Sequence, residues 1–223
     1  MKVVVFDLDD TLYEEFTYVR SGFRAVAEFL SVQYGANADE LSELMWSTML
    51  SIGRGKVFNV ALESIQQATQ ANVKRCVTLY RLHQPQQLQL YEDAELILKY
   101  LANKQIPRYI VTDGNKLVQQ RKLQALKLEQ RMKRCFITHR YGVRHSKPSP
   151  YCFQKIAQIE KVDPSEVVYI GDNVSKDFVG IKPLGFRTAR ILRGSYTTLE
   201  RPAEFQADIN IQSLTEIIDY YKL

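Results

Sequence analysis

Val3, Val4 and Val5 open the chain with an apolar run that continues through Phe6 and stops abruptly at Asp7, with Asp9 and Asp10 close behind. A continuous β-branched run bounded by polar residues predicts a strand buried on both faces, spanning residues 2–8. From residue 16 to about 85 the period becomes helical. Phe23, Val26, Ala27, Leu30 and Tyr34 fall on one stripe, and Leu41, Leu44, Met45 and Thr48 continue a second helix after a start signal at 37–39. Two more helices are predicted over about 57–69 and 73–82, beyond the break at Gly53 and Gly55. This block carries no strand signal.

Beyond Pro85 the rhythm alternates. Helices are predicted over 93–103, 115–126, 149–159 and 175–184, and strands over 108–112, 135–138, 167–170 and 187–192. Strands alternating with helices imply parallel βαβ units and an open sheet covered on both faces. The expected architecture is therefore α/β: a Rossmann-like, three-layer core formed by residues 1–14 and 87–223, interrupted after its first strand by an all-helical segment, 15–86.

Composition narrows the functional classes. A chain of 223 residues that is 45% hydrophobic can bury a substantial core. The first apolar run is too short for a secretory signal, and no later segment approaches the roughly 18 apolar residues of a membrane span, so a cytoplasmic protein without a membrane partner is expected. Cys76, Cys135 and Cys152 are odd in number and lack C-x-x-C spacing, which predicts buried free thiols. His83, His139 and His145 show no metal-ligand spacing. Residues 115–134 hold seven basic side chains, Lys116, Arg121, Lys122, Lys127, Arg131, Lys133 and Arg134, against the single acid Glu129. With no aromatics interleaved for base stacking, this reads as a solvated helix face rather than a nucleic-acid surface.

Functional groups on such sheets sit beyond the carboxyl ends of the strands. The first predicted strand delivers Asp7, Asp9 and Asp10; the second delivers Thr112, Asp113, Gly114 and Asn115; the fourth delivers Gly171, Asp172 and Asn173, with Asp177 close behind. Residues i and i+2 of an extended segment share a face, so Asp7 and Asp9 can point together while Leu8 points inward. Two like charges about 4 Å apart repel by about 4 kcal/mol at an effective dielectric near 20. Three mutual pairs approach the roughly 5–15 kcal/mol of a whole domain's stability. Such a cluster requires a cation or shifted pKa values, and an all-oxygen donor set selects a hard ion, Mg²⁺ before Ca²⁺. Thr112, Asp113 and Gly114 at a helix start offer a hydroxyl and free backbone N–H groups to a phosphate, and Lys147 can add positive charge. Asp10 reads as a turn or capping residue, and Tyr13, Arg20, Arg54 and Lys56 as surface groups.

Taken in order, DLDDT at 7–11, the apolar strand ending in Thr112, Lys147, and GDNVSKD at 171–177 resemble the four motifs of the haloacid dehalogenase superfamily, in its phosphatase branch. The resemblance implies that Asp7 is a nucleophile forming an aspartyl-phosphate and that Asp9 is the general acid and base. It further implies that Asp7, the backbone carbonyl of Asp9, and Asp172 hold Mg²⁺, with Asn173 and Asp177 supporting them. Leu8, Thr112, Asp113, Gly114, Asn115 and Lys147 would surround the phosphoryl group, and the helical segment would be a cap. The expected substrate is a small phosphorylated metabolite. A phosphomutase keeps the same acids and metal and stays open as an alternative. A dehalogenase leaves Asp9 without a task, and a phosphoreceiver module places its paired acids and its acceptor on different strands.

Overall fold

The structure is a computed structural model that describes residues 1–85 and 87–223. Gln86, where the helical segment is expected to end, lies outside the described residues. The chain divides into two compact units, Met1–Glu15 with Gln89–Leu223, and Phe16–Leu88.

Strand β1 (Val3–Phe6) is buried at all four positions, as its unbroken apolar run requires. The chain then enters the helical unit: α1 (Glu15–Tyr34), α2 (Ala38–Ile52), α3 (Val57–Ser64) and α4 (Gln70–Leu82). The Asn37 side chain caps α2 by accepting from the N–H groups of Asp39 and Glu40, satisfying donors that have no partner inside the helix. The predicted stripe residues Phe23, Val26, Ala27, Leu30, Leu41 and Met45 pack with Val57, Ala61, Leu62 and Cys76 into a core belonging to this unit alone. One helix expected over 57–69 ends instead at Ser64, and Thr69 starts the next by accepting from Asn72 N–H.

The chain then returns through α5 (Glu92–Asn103), β2 (Arg108–Thr112), α6 (Lys116–Ala125), β3 (Arg134–Ile137), α7 (Tyr151–Glu160), β4 (Val167–Gly171), β5 (Arg187–Ile191), β6 (Ile209–Ile211) and α8 (Ile217–Tyr221). All six strands pair in parallel, in the order β3-β2-β1-β4-β5-β6. Strand order reverses at β1, whose two neighbours are β2 and β4. The crevice beyond the carboxyl end of β1 is thus the switch point where open α/β sheets place ligands. Val3, Val5, Tyr109, Val111, Phe136, Val167 and Tyr169 project to one face and pack against Cys152, Phe153 and Ile156 of α7.

The helix expected over 175–184 does not form. Residues 175–181 make turns, followed by a 3₁₀ turn at Lys182–Leu184. Gly180 lies so close to Pro148 that a Cβ would overlap the Pro148 carbonyl, and Pro183 supplies no N–H for a continuing helix. Strand β6 and helix α8 have no counterpart in the periodicity reading, being three and five residues long. Cys76 and Cys152 are buried free thiols, whereas Cys135 is only partly buried. Among the described residues, no helix is long and apolar enough to cross a membrane.

Candidate active site

The end of β1 is fixed by Asp7 N–H donating to Ile170 O across to β4, at 2.8 Å. That bond sets the Asp7 side chain beside the carboxyl end of β4, where Asp172 follows Gly171. Carboxylate oxygens of Asp7, Asp172 and Asp177 lie within 4.8 Å of one another, and all three residues are buried.

The Lys147 ammonium threads this cluster. Lys147 Nζ lies 2.9 Å from Asp7 Oδ1 and 2.8 Å from Asp177 Oδ1, and donates to Tyr169 Oη at 2.8 Å. Tyr169 Oη in turn donates to Asp177 Oδ1, while Asp177 Oδ2 accepts from Asn173 N–H at 2.9 Å. Burial disfavours the charge on Lys147, but Asp177 and Asp7 outweigh it and hold the ammonium well above its usual range. The acids are less well compensated. Burial pushes the Asp7 carboxyl up to about 7, with Lys147 pulling it back, and pushes Asp172 up to about 9, assisted by the charges of Asp177 and Asp7. Even with Lys147 and Lys176 nearby, the ionised forms of Asp7 and Asp172 are disfavoured, and a bound cation would relieve that cost. An all-oxygen pocket of this kind fits a hard divalent cation.

Asp9 faces a different set of groups. Its Oδ1 accepts from Tyr13 Oη at 2.6 Å and Lys122 Nζ at 2.6 Å, and its Oδ2 from Gln119 Nε2 at 2.8 Å. Burial raises its pKa, but Lys122 and these hydrogen bonds outweigh burial and hold the carboxyl below its usual range. The side chain of Asp9 is therefore not part of the Asp7–Asp172–Asp177 cluster, and only its backbone carbonyl is left as a ligand candidate. Two sequence readings need correcting here. Lys122 is not on a solvated face: it is 2% exposed and pairs with Asp9 and, at 3.6 Å, Glu15. Tyr13 is not a surface group but fully buried against Asp9. Arg20, Arg54 and Lys56 are exposed.

The turn after β2 supplies the remaining groups. Thr112 is buried, and its Oγ1 accepts from Gln119 Nε2 at 2.7 Å. Asp113 is held by Thr138 Oγ1 at 2.7 Å, Lys147 N–H at 3.0 Å and Lys176 Nζ at 3.0 Å. The charges of Lys147 and Lys176 overcome burial and keep it ionised below its usual range. Gly114 takes a φ of +133°, which favours glycine, and Asn115 caps α6 by accepting from Leu117 and Val118 N–H. The Leu8 side chain is fully buried, so only its backbone can face a ligand. Asn173 Oδ1 is spent on Ser175 N–H. Asp10, at a φ of +51°, accepts from the N–H groups of Glu15 and Ser195 and so closes two loops.

The fold is an open parallel sheet with buried acids gathered beyond the carboxyl ends of β1 and β4. Residues 1–185 match the family model for haloacid dehalogenase-like hydrolases, and the chain belongs to that family. It is 29% identical over 227 residues to a glyceraldehyde 3-phosphate phosphatase of Methanopyrus kandleri, covering 98% of this chain and 96% of that one. It is 25% identical over 252 residues to a phosphoserine phosphatase of Thermus thermophilus, covering 97% and 98%. Among solved structures, a 2-haloacid dehalogenase from Pseudomonas syringae pv. Tomato superposes with a TM-score of 0.68 at 23% identity over 100% of this chain and 98% of that one, a likeness of fold.

Proposed function

We propose that the protein is a Mg²⁺-dependent phosphatase that hydrolyses small phosphomonoesters through an aspartyl-phosphate on Asp7. The observation that carries this reading is the separation of two carboxylates only two residues apart. Asp7 sits among Asp172, Asp177 and Lys147 in a buried cluster of three carboxyl groups, while Asp9 sits among three hydrogen-bond donors. Paired acids in contrasting surroundings divide the roles of nucleophile and proton carrier. Asp7 and Asp172, with the Asp9 backbone carbonyl, would hold Mg²⁺, which when bound neutralises charge on the phosphoryl oxygens.

The approach of an anionic phosphoester disfavours the Asp9 carboxylate, which enters the step carrying a proton. Asp7 Oδ attacks phosphorus and the bond to the leaving oxygen breaks, that oxygen taking the proton from Asp9. Asp9 then accepts a proton from water as the water oxygen attacks phosphorus, releasing inorganic phosphate and regenerating the Asp7 carboxylate. Each cycle thus returns to Asp9 the proton it spends. Lys147 and the Thr112 hydroxyl bind phosphoryl oxygens, and Lys147 also keeps Asp7 aligned. Relatives named for glyceraldehyde 3-phosphate and phosphoserine support short, polar phosphorylated metabolites as the substrate class.

The test is phosphate release across a panel containing those two compounds. Turnover should be lost by at least about 10³-fold in Asp7→Asn, as expected when a covalent nucleophile is removed, and abolished for the unaltered protein by excess chelator. Release that persists in Asp7→Asn overturns the nucleophile, and a product that stays phosphorylated but isomerised makes the protein a mutase.

A further inference from the structure

Gln119 and Lys122 stand three residues apart on α6, so they project from one side of the helix. Both are 2% exposed. Neither belongs to the groups that bind a phosphoryl oxygen or a cation, yet together they supply two of the three donors to Asp9. We propose that Gln119 and Lys122 form a positioning pair that aims both the proton-carrying oxygen of Asp9 and the hydroxyl hydrogen of Thr112 at the phosphoester.

A carboxylate offers about four lone-pair sites. Tyr13 and Lys122 fill both on Oδ1, and Gln119 fills one on Oδ2. One site on Oδ2 remains, and it is the place from which Asp9 exchanges a proton with the leaving oxygen and then with water. Gln119 has two amide hydrogens and spends both, one on Asp9 Oδ2 at 2.8 Å and one on Thr112 Oγ1 at 2.7 Å. A hydroxyl that accepts from an amide keeps its own hydrogen to give elsewhere. Gln119 therefore makes Thr112 a donor, the role a phosphoryl oxygen requires, and links that role to the orientation of Asp9. Gly114 keeps this link in place, since a Cβ there would press on the Gln119 side chain at 3.3 Å. Lys122 acts through Asp9: its ammonium fixes Oδ1 and so the rotation of the whole carboxyl group.

This inference rests on the phosphatase reading, and the experiment separates the two. An alkyl phosphomonoester such as phosphoserine expels an alkoxide that needs a proton, whereas p-nitrophenyl phosphate expels an anion already stable at neutral pH. General acid catalysis contributes about 10²–10⁴-fold, and misplacing a catalytic group costs about 10²-fold. Lys122→Met should lower kcat/KM, which reports the leaving-group step alone, by about 30- to 100-fold on the alkyl ester and less than about 3-fold on p-nitrophenyl phosphate. Its kcat should fall on both, because they share the aspartyl-phosphate whose hydrolysis also uses Asp9. Gln119→Met should lower kcat/KM on the alkyl ester more than on p-nitrophenyl phosphate and also raise KM for both esters, because Thr112 loses its imposed direction.

Unaltered protein and Asp7→Asn, assayed on p-nitrophenyl phosphate, report on the nucleophile alone. Circular dichroism checks the fold of each variant, and Lys122→Arg and Gln119→Asn read the same ratio of esters if a Met variant does not fold. Equal losses of kcat/KM on the two esters, or no loss on either, in folded protein overturn the positioning role.

Discussion

Gly171 shows how closely a single residue position is tied to the chemistry beside it. A Cβ at this position would overlap the Asp177 carboxylate and come within 3.2 Å of Tyr169 Oη. Asp177 cannot yield, because Lys147, Tyr169 and Asn173 N–H hold both of its oxygens. Gly171→Ala should cost about 1–3 kcal/mol, as overpacking does in rigid interiors. A urea denaturation midpoint corresponding to less than about 0.5 kcal/mol of change would show that the cluster can shift. Asp7 and Asp172 were legible in the sequence because each follows the end of an apolar run that had to be a strand, whereas Asp177 was placed on a helix that does not form. Gln119 and Lys122 were not legible. What buries Lys122 is its pairing with Asp9, 113 residues away, and a run of basic side chains reads locally as solvated. The signal available was Lys122 itself, which shares a helix with Leu123, buried at the next position.

Among the elements, α5 is tied to the far edge of the sheet by one carboxylate. Asp93, in the first turn of α5, pairs with Arg193 just after β5, and its Oδ2 accepts from Leu214 N–H at 2.8 Å. Burial raises its pKa, but the Arg193 and Leu214 hydrogen bonds and the Arg193 charge outweigh burial and leave it lowered. A lowered folded pKa means stability that is present above the unfolded value, about 3.9, and is lost as pH falls through the folded one. Asp93→Asn should therefore cost about 1–3 kcal/mol at pH 7. That difference should shrink once pH drops below about 4, as urea titrations at several pH values would show; a difference constant down to pH 3 would remove the ion pair as its cause. Most strands and helices followed from period and punctuation, to within a few residues at their ends. The element that failed, the helix over 175–184, failed for a tertiary reason. Gly180 approaches the Pro148 carbonyl and Asp177 turns inward to bond Asn173 N–H, contacts that periodicity does not encode. Strand β6 was missed because INI is too short to show alternation.

At the scale of the whole molecule, one hydrophobic core is assembled from separate stretches of chain and the other from a single stretch. The sheet unit joins Met1–Glu15 to Gln89–Leu223, so pairing β1 with β2 requires Val4 to meet Arg108 and Val5 to meet Tyr109. The helical unit, Phe16–Leu88, closes its core between helices near in sequence. Local contacts form at low loop-closure cost, while distant strand pairing costs more entropy before it is rewarded. Separate cores predict separable cooperative units. Met45 is fully buried in the helical unit, and Met45→Ala should cost that unit about 2–5 kcal/mol. Native-state hydrogen exchange should then show faster opening for the buried amides of α1 and α2. The amides of β1 and β4, including Val5 and Ile170, should keep their protection to within about 0.5 kcal/mol. If the strands lose as much protection as the helices, the two cores unfold as one, and their division along the chain has no energetic counterpart.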